Sequence, residues 1–550
     1  MTTIRRIYAY LLAFAGLAMV SLAAANLAQV LIDVALNAAL VSSTDRYVRD
    51  SVSLWGATAL VGLPVWLLHW LWIQRTARAD PDERASTLRR LYLYAVLGGA
   101  LLVMGVSTRE VLLQLMNPSP GLASAGQQID VIIRPLPFAL VAVVVWFAHW
   151  RIAARDRAEV GEIGGSATLR RWYIYAAAFI GLLLLLNGVR VLVEALWRAA
   201  AGASPPTGSA IAIPAADTLV GLGIWLLHWV VLPQRLPETA RRDDGVSVLR
   251  SVYLFFALAV GVIGTLLGAS QLLYYAVGRV LGVERPGGVG GDLLSAAAGP
   301  GSAVIAYGVA WAYQRQALRR QAAVFDEAPR QAGIRRLYTY VIALVALAVL
   351  TSGVAGLLWT LCDVLFAPGA TTGDFWRERV ALFATLVIVG LPVWLLHWHP
   401  NAGSADEARS LARRLYVYLS LIAAMLMVVV AMAGVVYRLL GLALGGSFGQ
   451  DVATDLAHAI ALASVAALVA VYHWRVLRAD ARLAQPVAAV PVTAEATAVV
   501  EIHAADAESL GRALAALRGS GVDFRVVRGT PPPAEETPSD DTALAAEATP

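Results

Sequence analysis

One nine-residue apolar phrase, Gly-Leu-Pro-Val-Trp-Leu-Leu-His-Trp, stands at 62–70 and again unchanged at 390–398, with the variant Gly-Leu-Gly-Ile-Trp-Leu-Leu-His-Trp at 221–229. A long chain that repeats itself this closely is built from copies of one supersecondary unit, so the period comes before any local assignment. A second phrase supplies it. Arg-Arg-x-Tyr-x-Tyr opens at Arg5, Arg89, Arg170, Arg335 and Arg413, and as Arg-Ser-x-Tyr-x-Phe at Arg250, with spacings of 84, 81, 80, 85 and 78 residues. The closing phrase follows each opening as Trp66-x-x-His69-Trp70, Trp146-x-x-His149-Trp150, Trp225-x-x-His228-Trp229, Trp394-x-x-His397-Trp398 and Ala470-x-x-His473-Trp474. In the fourth copy the phrases align as Tyr307-x-x-Ala310-Trp311, a degenerate version.

Between the phrases lie apolar stretches of spanning length. The chain is 59% hydrophobic and 15% charged, against roughly 25% charged in soluble domains. Each repeat holds two such stretches, which predicts an all-α membrane protein of about 12 transmembrane helices, arranged as six parallel two-helix repeats. The repeats run 1–80, 81–160, 161–240, 241–325 (degenerate), 326–404 and 405–478. The arginine-flanked apolar start resembles a signal peptide, but the same opening recurs inside the chain, where none is cleaved. Every one of the 43 basic residues is arginine, and they concentrate at the repeat junctions. By the positive-inside rule the junctions and both termini are expected in the cytoplasm of a bacterial plasma membrane. Segments such as 41–50 are then outward loops. Pro64 and Pro392 fall inside second spans and permit kinks there.

Both phrases sit at one membrane boundary, where Trp and Tyr place an apolar ring beside a polar tip and arginine meets lipid headgroups. Trp66, His69 and Trp70 share a helical face, as do Arg6 and Tyr10, whereas Tyr8 and Tyr10 point in nearly opposite directions. The expected site is an interfacial staple between the two helices of a repeat. Its members are Arg6, Tyr10, Trp66, His69, Trp70, Arg90, Tyr94, His149, Arg171, Tyr175, His228, Arg336, Tyr340, His397, Arg414, Tyr418 and His473. Repeat four has Ser251, Phe255 and Ala310 where the others have arginine, tyrosine and histidine, a joint loss that suggests one hydrogen-bonded cluster per repeat. The sharper reading of His69, His149, His228, His397 and His473 is ligation of heme or a chlorophyll-type pigment, but all five lie at one boundary rather than in pairs across a pocket. No catalytic set, metal site or other cofactor is expected. The outer halves of the first helices carry Asn26, Asp33, Arg109, Glu110, Asn187, Arg190, Glu194, Gln271, Asp363 and Arg438, either an ion pathway or turns that emerge from the bilayer.

Past residue 478 the composition changes. Residues 479–496 read as a linker, 497–529 as a cytoplasmic βαβ module with its helix at 506–521, and 530–550 as a disordered acidic tail. The paired phrases, "RRLYLY" opening one span and "GLPVWLLHW" closing the next, resemble the bacterial membrane family known as domain of unknown function 5671, here as six tandem copies over about 1–475. The resemblance implies a multi-pass membrane protein and brings no reaction, ligand or catalytic residue with it. The functional expectation is a non-enzymatic membrane scaffold or interaction protein, with a transporter or channel as the alternative and pigment carriage third. Its partners would be membrane lipids and a protein bound through the C-terminal module, not nucleic acid.

Overall fold

The computed structural model describes residues 3–37, 41–117, 129, 131–162, 164–202, 208–288, 292–324, 329–367, 373–484 and 506–519. The chain divides into two units, Met1–Ala484 and Gln485–Pro550.

In the first unit every repeat is a helical hairpin. The first helices are Thr3–Asn37, Thr87–Met116, Gly165–Ala200, Val248–Val280, Pro329–Phe366 and Leu411–Ala443. The second helices are Val41–Ala79, Leu136–Val160, Gly208–Trp225 with its continuation to Gln234, Ala298–Val324, Phe375–His397 and Gln450–Leu483. Residues 41–50, expected as a loop, are the first turns of the second helix of repeat one. Helices run through Pro64 and Pro392. The local departure falls in repeat three instead, where Leu226–Val231 makes a π-helical turn around His228.

Among the described residues eleven helices are long and apolar enough to cross a membrane. The expected twelfth, Ala298–Val324, is helical but outside that set, because Gln314, Arg315, Gln316, Arg319, Arg320 and Gln321 crowd its second half.

The hairpins close tightly where the first helix carries glycine. Gly16, Gly181 and Gly261 each lie eleven residues after the opening arginine. A Cβ added there would meet the backbone nitrogen of Trp66 at 2.6 Å, Trp225 at 2.7 Å and Trp311 at 2.9 Å. Small residues at such crossings let helix backbones meet without a side chain between them.

Successive hairpins stack in one direction. The first helix of each repeat packs on both helices of the next, and all junctions gather at one end of the array. Three of the linkers carry a short helix. Short helices Pro81–Ala85, Glu238–Gly245 and Ala405–Arg409 each precede a serine, and Ser86, Ser247 and Ser410 cap the following first helices by accepting from the backbone N–H of Arg89, Arg250 and Arg413. The array is open. Tyr8 of the first repeat is 55% exposed and Tyr418 of the last 50%, whereas Tyr10, Tyr92, Tyr94, Tyr173, Tyr175, Tyr253, Tyr340 and Tyr416 are buried.

In the second unit the described residues form one helix, Ala507–Gly519, capped by Asp506, which accepts from the Ser509 N–H at 2.7 Å. The βαβ expectation is corrected here. Among the described residues there is no strand or sheet; the start of the expected linker, 479–483, continues the helix Gln450–Leu483, while its remainder from 485, the segments read as strands, 497–504 and 522–529, and the acidic tail lie outside the described residues. Alternation over eight residues was too short a signal to establish a strand without a sheet partner.

Candidate functional site

The junction end holds two polar layers, and the two tyrosines of each opening phrase divide between them. The deeper layer is neutral. All five histidines present Nδ1 to the carbonyl four residues back: His69 to Val65 (2.7 Å), His149 to Val145, His228 to Ile224 and His397 to Val393 (2.8 Å each), and His473 to Val469 (2.9 Å). A carbonyl only accepts, so Nδ1 carries the proton and Nε2 is left as an acceptor. In repeats two, three and six that acceptor faces the first tyrosine of its own repeat. Tyr173 donates to His228 and Tyr416 to His473 at 3.0 Å, and Tyr92 approaches His149 at 3.5 Å. The same hydroxyl accepts from a tryptophan of the preceding repeat: Trp146 to Tyr173 at 2.7 Å, Trp225 to Tyr253 at 3.0 Å and Trp394 to Tyr416 at 2.9 Å. At Tyr173 and Tyr416 indole, phenol, imidazole and backbone carbonyl thus form a directional relay, the kind of mutual pairing a water-poor layer favours.

Tyr173→Phe removes the middle of this relay and strands two buried groups. At about 1–3 kcal/mol per unsatisfied group, a clear loss of thermal stability in detergent is expected. The cost should be non-additive with Trp146→Phe; an unchanged melt would show that the relay contributes nothing.

One turn outward lies the charged layer. The second arginine and second tyrosine of a repeat reach forward to an acid in the next linker. Arg6 donates to Glu83 at 2.7 Å and Tyr10 to the same carboxylate at 3.4 Å. Tyr94 donates to Glu162 at 3.0 Å, with Arg90 at 3.9 Å, and Arg90 also donates to the Ala153 carbonyl. Arg171 donates to Asp244 at 2.7 Å, and Tyr340 to Glu407 at 2.8 Å. The first arginine closes the joint from the other side. Arg170 spans Glu162 (2.7 Å) and both oxygens of Asp244 (2.9 Å each). Arg89 donates to Asp156 and Arg413 to Asp480, each at 2.7 Å. Glu83, Arg89, Arg90, Arg170 and Arg413 are at most 1% exposed. Between the layers the rings continue from repeat to repeat, with centroids 5.5 Å apart for Tyr10–Tyr92, 5.7 Å for Tyr94–Tyr173 and Tyr175–Tyr253, 5.3 Å for Phe255–Tyr338 and 5.9 Å for Tyr340–Tyr416.

Some of the expected staple residues meet linker acids or rings of the neighbouring repeat, and no single His–Arg–Tyr cluster forms within a repeat. His69 meets Tyr8 edge-on at 5.5 Å, Tyr10 belongs to Glu83, Trp70 stacks on Tyr92 at 5.5 Å and Trp66 packs in the same cluster. Arg336 is half-buried and Arg414 exposed. Among the described residues neither Arg414 nor Tyr418 has a linker acid as partner. Glu83, Glu162, Asp244, Glu407, Asp156 and Asp480 were missed. A signal existed: acid-x-x-Ser-x-x-Arg occurs at Glu83–Arg89, Asp244–Arg250 and Glu407–Arg413.

Repeat four is corrected too. Its closing phrase lies one helical turn later than the sequence alignment places it. Gly261 abuts Trp311 as Gly16 abuts Trp66. Three residues on, in the histidine position, stands the buried Gln314. The residue before it, Tyr313, accepts from Trp229 at 3.0 Å, just as Tyr472, before His473, accepts from Trp398 at 2.7 Å. Seven residues beyond Gln314, where Asp156 and Asp480 stand relative to their histidines, Gln321 accepts from Arg250 at 3.2 Å. In repeats one and two the arginine and tyrosine at the positions of Ser251 and Phe255 share one linker carboxylate, Glu83 and Glu162, which links their joint loss in repeat four.

The outer polar residues are spent on one another. Asp33 meets Tyr47 (2.9 Å) and Arg134 (3.4 Å), Arg109 meets Asp217 (2.5 Å), Arg190 meets Glu194 (3.1 Å), and Asp363 meets Arg379 (2.8 Å) and His458 (2.7 Å). Glu110 accepts from Gln114, Asn26 donates to the Leu22 carbonyl, Gln271 donates to Tyr275 and Arg438 pairs with Asp455. A tetrapyrrole ligated by His228 or His473 would have to displace a tyrosine from Nε2; both rings are fully buried.

The family described as domain of unknown function (DUF5671) matches the chain in four overlapping segments, residues 6–118, 106–219, 187–313 and 336–455. No curated protein and no solved structure matches.

Proposed function

This chain belongs to the DUF5671 family, with tandem copies, and from that premise we propose that it is a non-enzymatic scaffold of a bacterial plasma membrane. The observation that carries the reading is where the polar side chains go. At the junction end Trp146, Tyr173 and His228 bond one another and Arg170 ties Glu162 to Asp244, bonds that run across successive repeats and linkers and favour a stiff array over a site that must release and rebind a substrate. The arginine-rich junctions and both termini face the cytoplasm, and the segment after Ala484 is the partner-facing part.

Two measurements test this. On a Cys362→Ser background, single cysteines at Asp82→Cys, Ala240→Cys and Gly403→Cys are expected to react with an impermeant thiol reagent from the cytoplasmic side alone; labelling of any of them from the outer side defeats the arrangement. After mild extraction, the full chain is expected to carry a protein partner in fixed stoichiometry that a chain ending at Ala484 does not. A partner-free preparation with a visible pigment band, or one stabilised by a small solute it moves across vesicles, would overturn the scaffold reading.

A further inference from the structure

At the junction between repeats three and four, the charged layer has lost a carboxylate and gained a cavity. In repeats two and six the first arginine is neutralised by an aspartate of its own second helix, Arg89 by Asp156 and Arg413 by Asp480. The equivalent position in repeat four is the uncharged Gln321, which offers Arg250 only an amide oxygen and turns its own N–H toward the Gly245 carbonyl. The linker acid offers no substitute. Asp244 is engaged by Arg170 through both oxygens and by Arg171. Arg250 is half-buried with its guanidinium 4.8 Å over the Trp229 ring, so its charge is poorly hydrated and without a carboxylate of its own.

Beside it opens a cavity of about 420 Å3. Arg241 from the linker helix and Arg320 from the end of the second helix line it together with Arg250, and Gln316 and Gln321 add amide groups. Neither Arg241 nor Arg320 has a side-chain partner among the described residues. Three guanidinium groups thus face one pocket whose single carboxylate already holds two other arginines. Guanidinium forks match the oxygens of a phosphate group, and that match strengthens where water is scarce.

We propose that this pocket binds a phosphate-bearing anion, whose oxygens take the place of the carboxylate that repeat four lacks. The chemistry is shared by a phospholipid headgroup at the membrane boundary and by a free phosphorylated solute. The site is independent of the scaffold reading: it needs only the pocket and its charges.

The test uses the purified full chain in delipidating detergent, titrated separately with pyrophosphate and with short-chain phosphatidylglycerol, with melting temperature as the readout and chloride as the ionic-strength control. Saturable stabilisation by one or both ligands is expected. Stabilisation by phosphatidylglycerol alone identifies a headgroup, and by pyrophosphate alone a free solute; no saturable shift with either overturns the proposal. The variant Gln321→Glu restores the missing carboxylate and is expected to weaken binding at least about tenfold while the ligand-free melt is unchanged or raised. Arg241→Gln with Arg320→Gln, both at exposed positions, is expected to weaken binding similarly, whereas Arg319→Gln, exposed but outside the cavity, leaves it intact. Undiminished affinity in Gln321→Glu would overturn the proposal as firmly as the absence of any shift.

Discussion

Arg170→Met is expected to be among the most damaging single substitutions in the chain. The guanidinium is 1% exposed and bridges Glu162, in the linker before its own helix, to Asp244, in the linker after the next. Methionine fills similar volume but leaves two buried carboxylates facing each other with less positive charge between them. Removing one partner of a buried ion pair costs about 3–5 kcal/mol, which for a marginally stable protein is a large share of the total. The expected result is a much lower melting temperature and a poor yield of folded protein in detergent. The charge account makes a second demand. Adding Glu162→Gln and Asp244→Asn to Arg170→Met removes the stranded charges and should recover much of the loss. If the triple variant is no better than the single one, packing rather than charge explains the damage; if the single variant melts normally, the bridge is not structural.

Gly221→Leu is expected to fail by a different route. A Cβ at Gly221 would lie 2.4 Å from the Leu185 backbone nitrogen and 2.8 Å from the Gly181 carbonyl oxygen. Both neighbours are backbone, so no rotamer relieves the overlap and the hairpin of repeat three must separate. Overpacking in a core costs about 1–3 kcal/mol and more where backbone has to move. The effect should be graded, with alanine milder than leucine. Gly223, two residues on, provides the comparison, since a Cβ there meets nothing within 4 Å. Gly223→Ala should change stability by no more than about 0.5 kcal/mol. Equal damage at both glycines would show that the close crossing does not govern the response, because helix propensity alone favours alanine and leucine over glycine.

The fourth repeat illustrates where sequence reading stops. Aligned by letters, Trp311 matches Trp70 and the histidine is simply missing. A helix can shift by one turn and keep the same face, because residues four apart lie one above the other. Only the packing of Gly261 against Trp311 reveals that Gln314 occupies the histidine's place and Gln321 the aspartate's. The linker acids were hidden for a related reason. Glu83, Asp244 and Glu407 sit among other acids in arginine-rich segments, and sequence alone does not mark which acid is buried.

Taken by itself, the chain of letters determined the repeat period, the helical hairpin within each part, apolar enough to span in all but the second helix of repeat four, and the end of the array at which the polar phrases gather. These follow from composition and spacing, which act locally along each helix. Which tyrosine meets the histidine, and which meets the next linker, was decided by the tertiary structure. Partner choice depends on how one hairpin is rotated and offset against the next, and that geometry is set by contacts between residues some 80 positions apart, such as Tyr10 with Glu83 and Arg170 with Asp244.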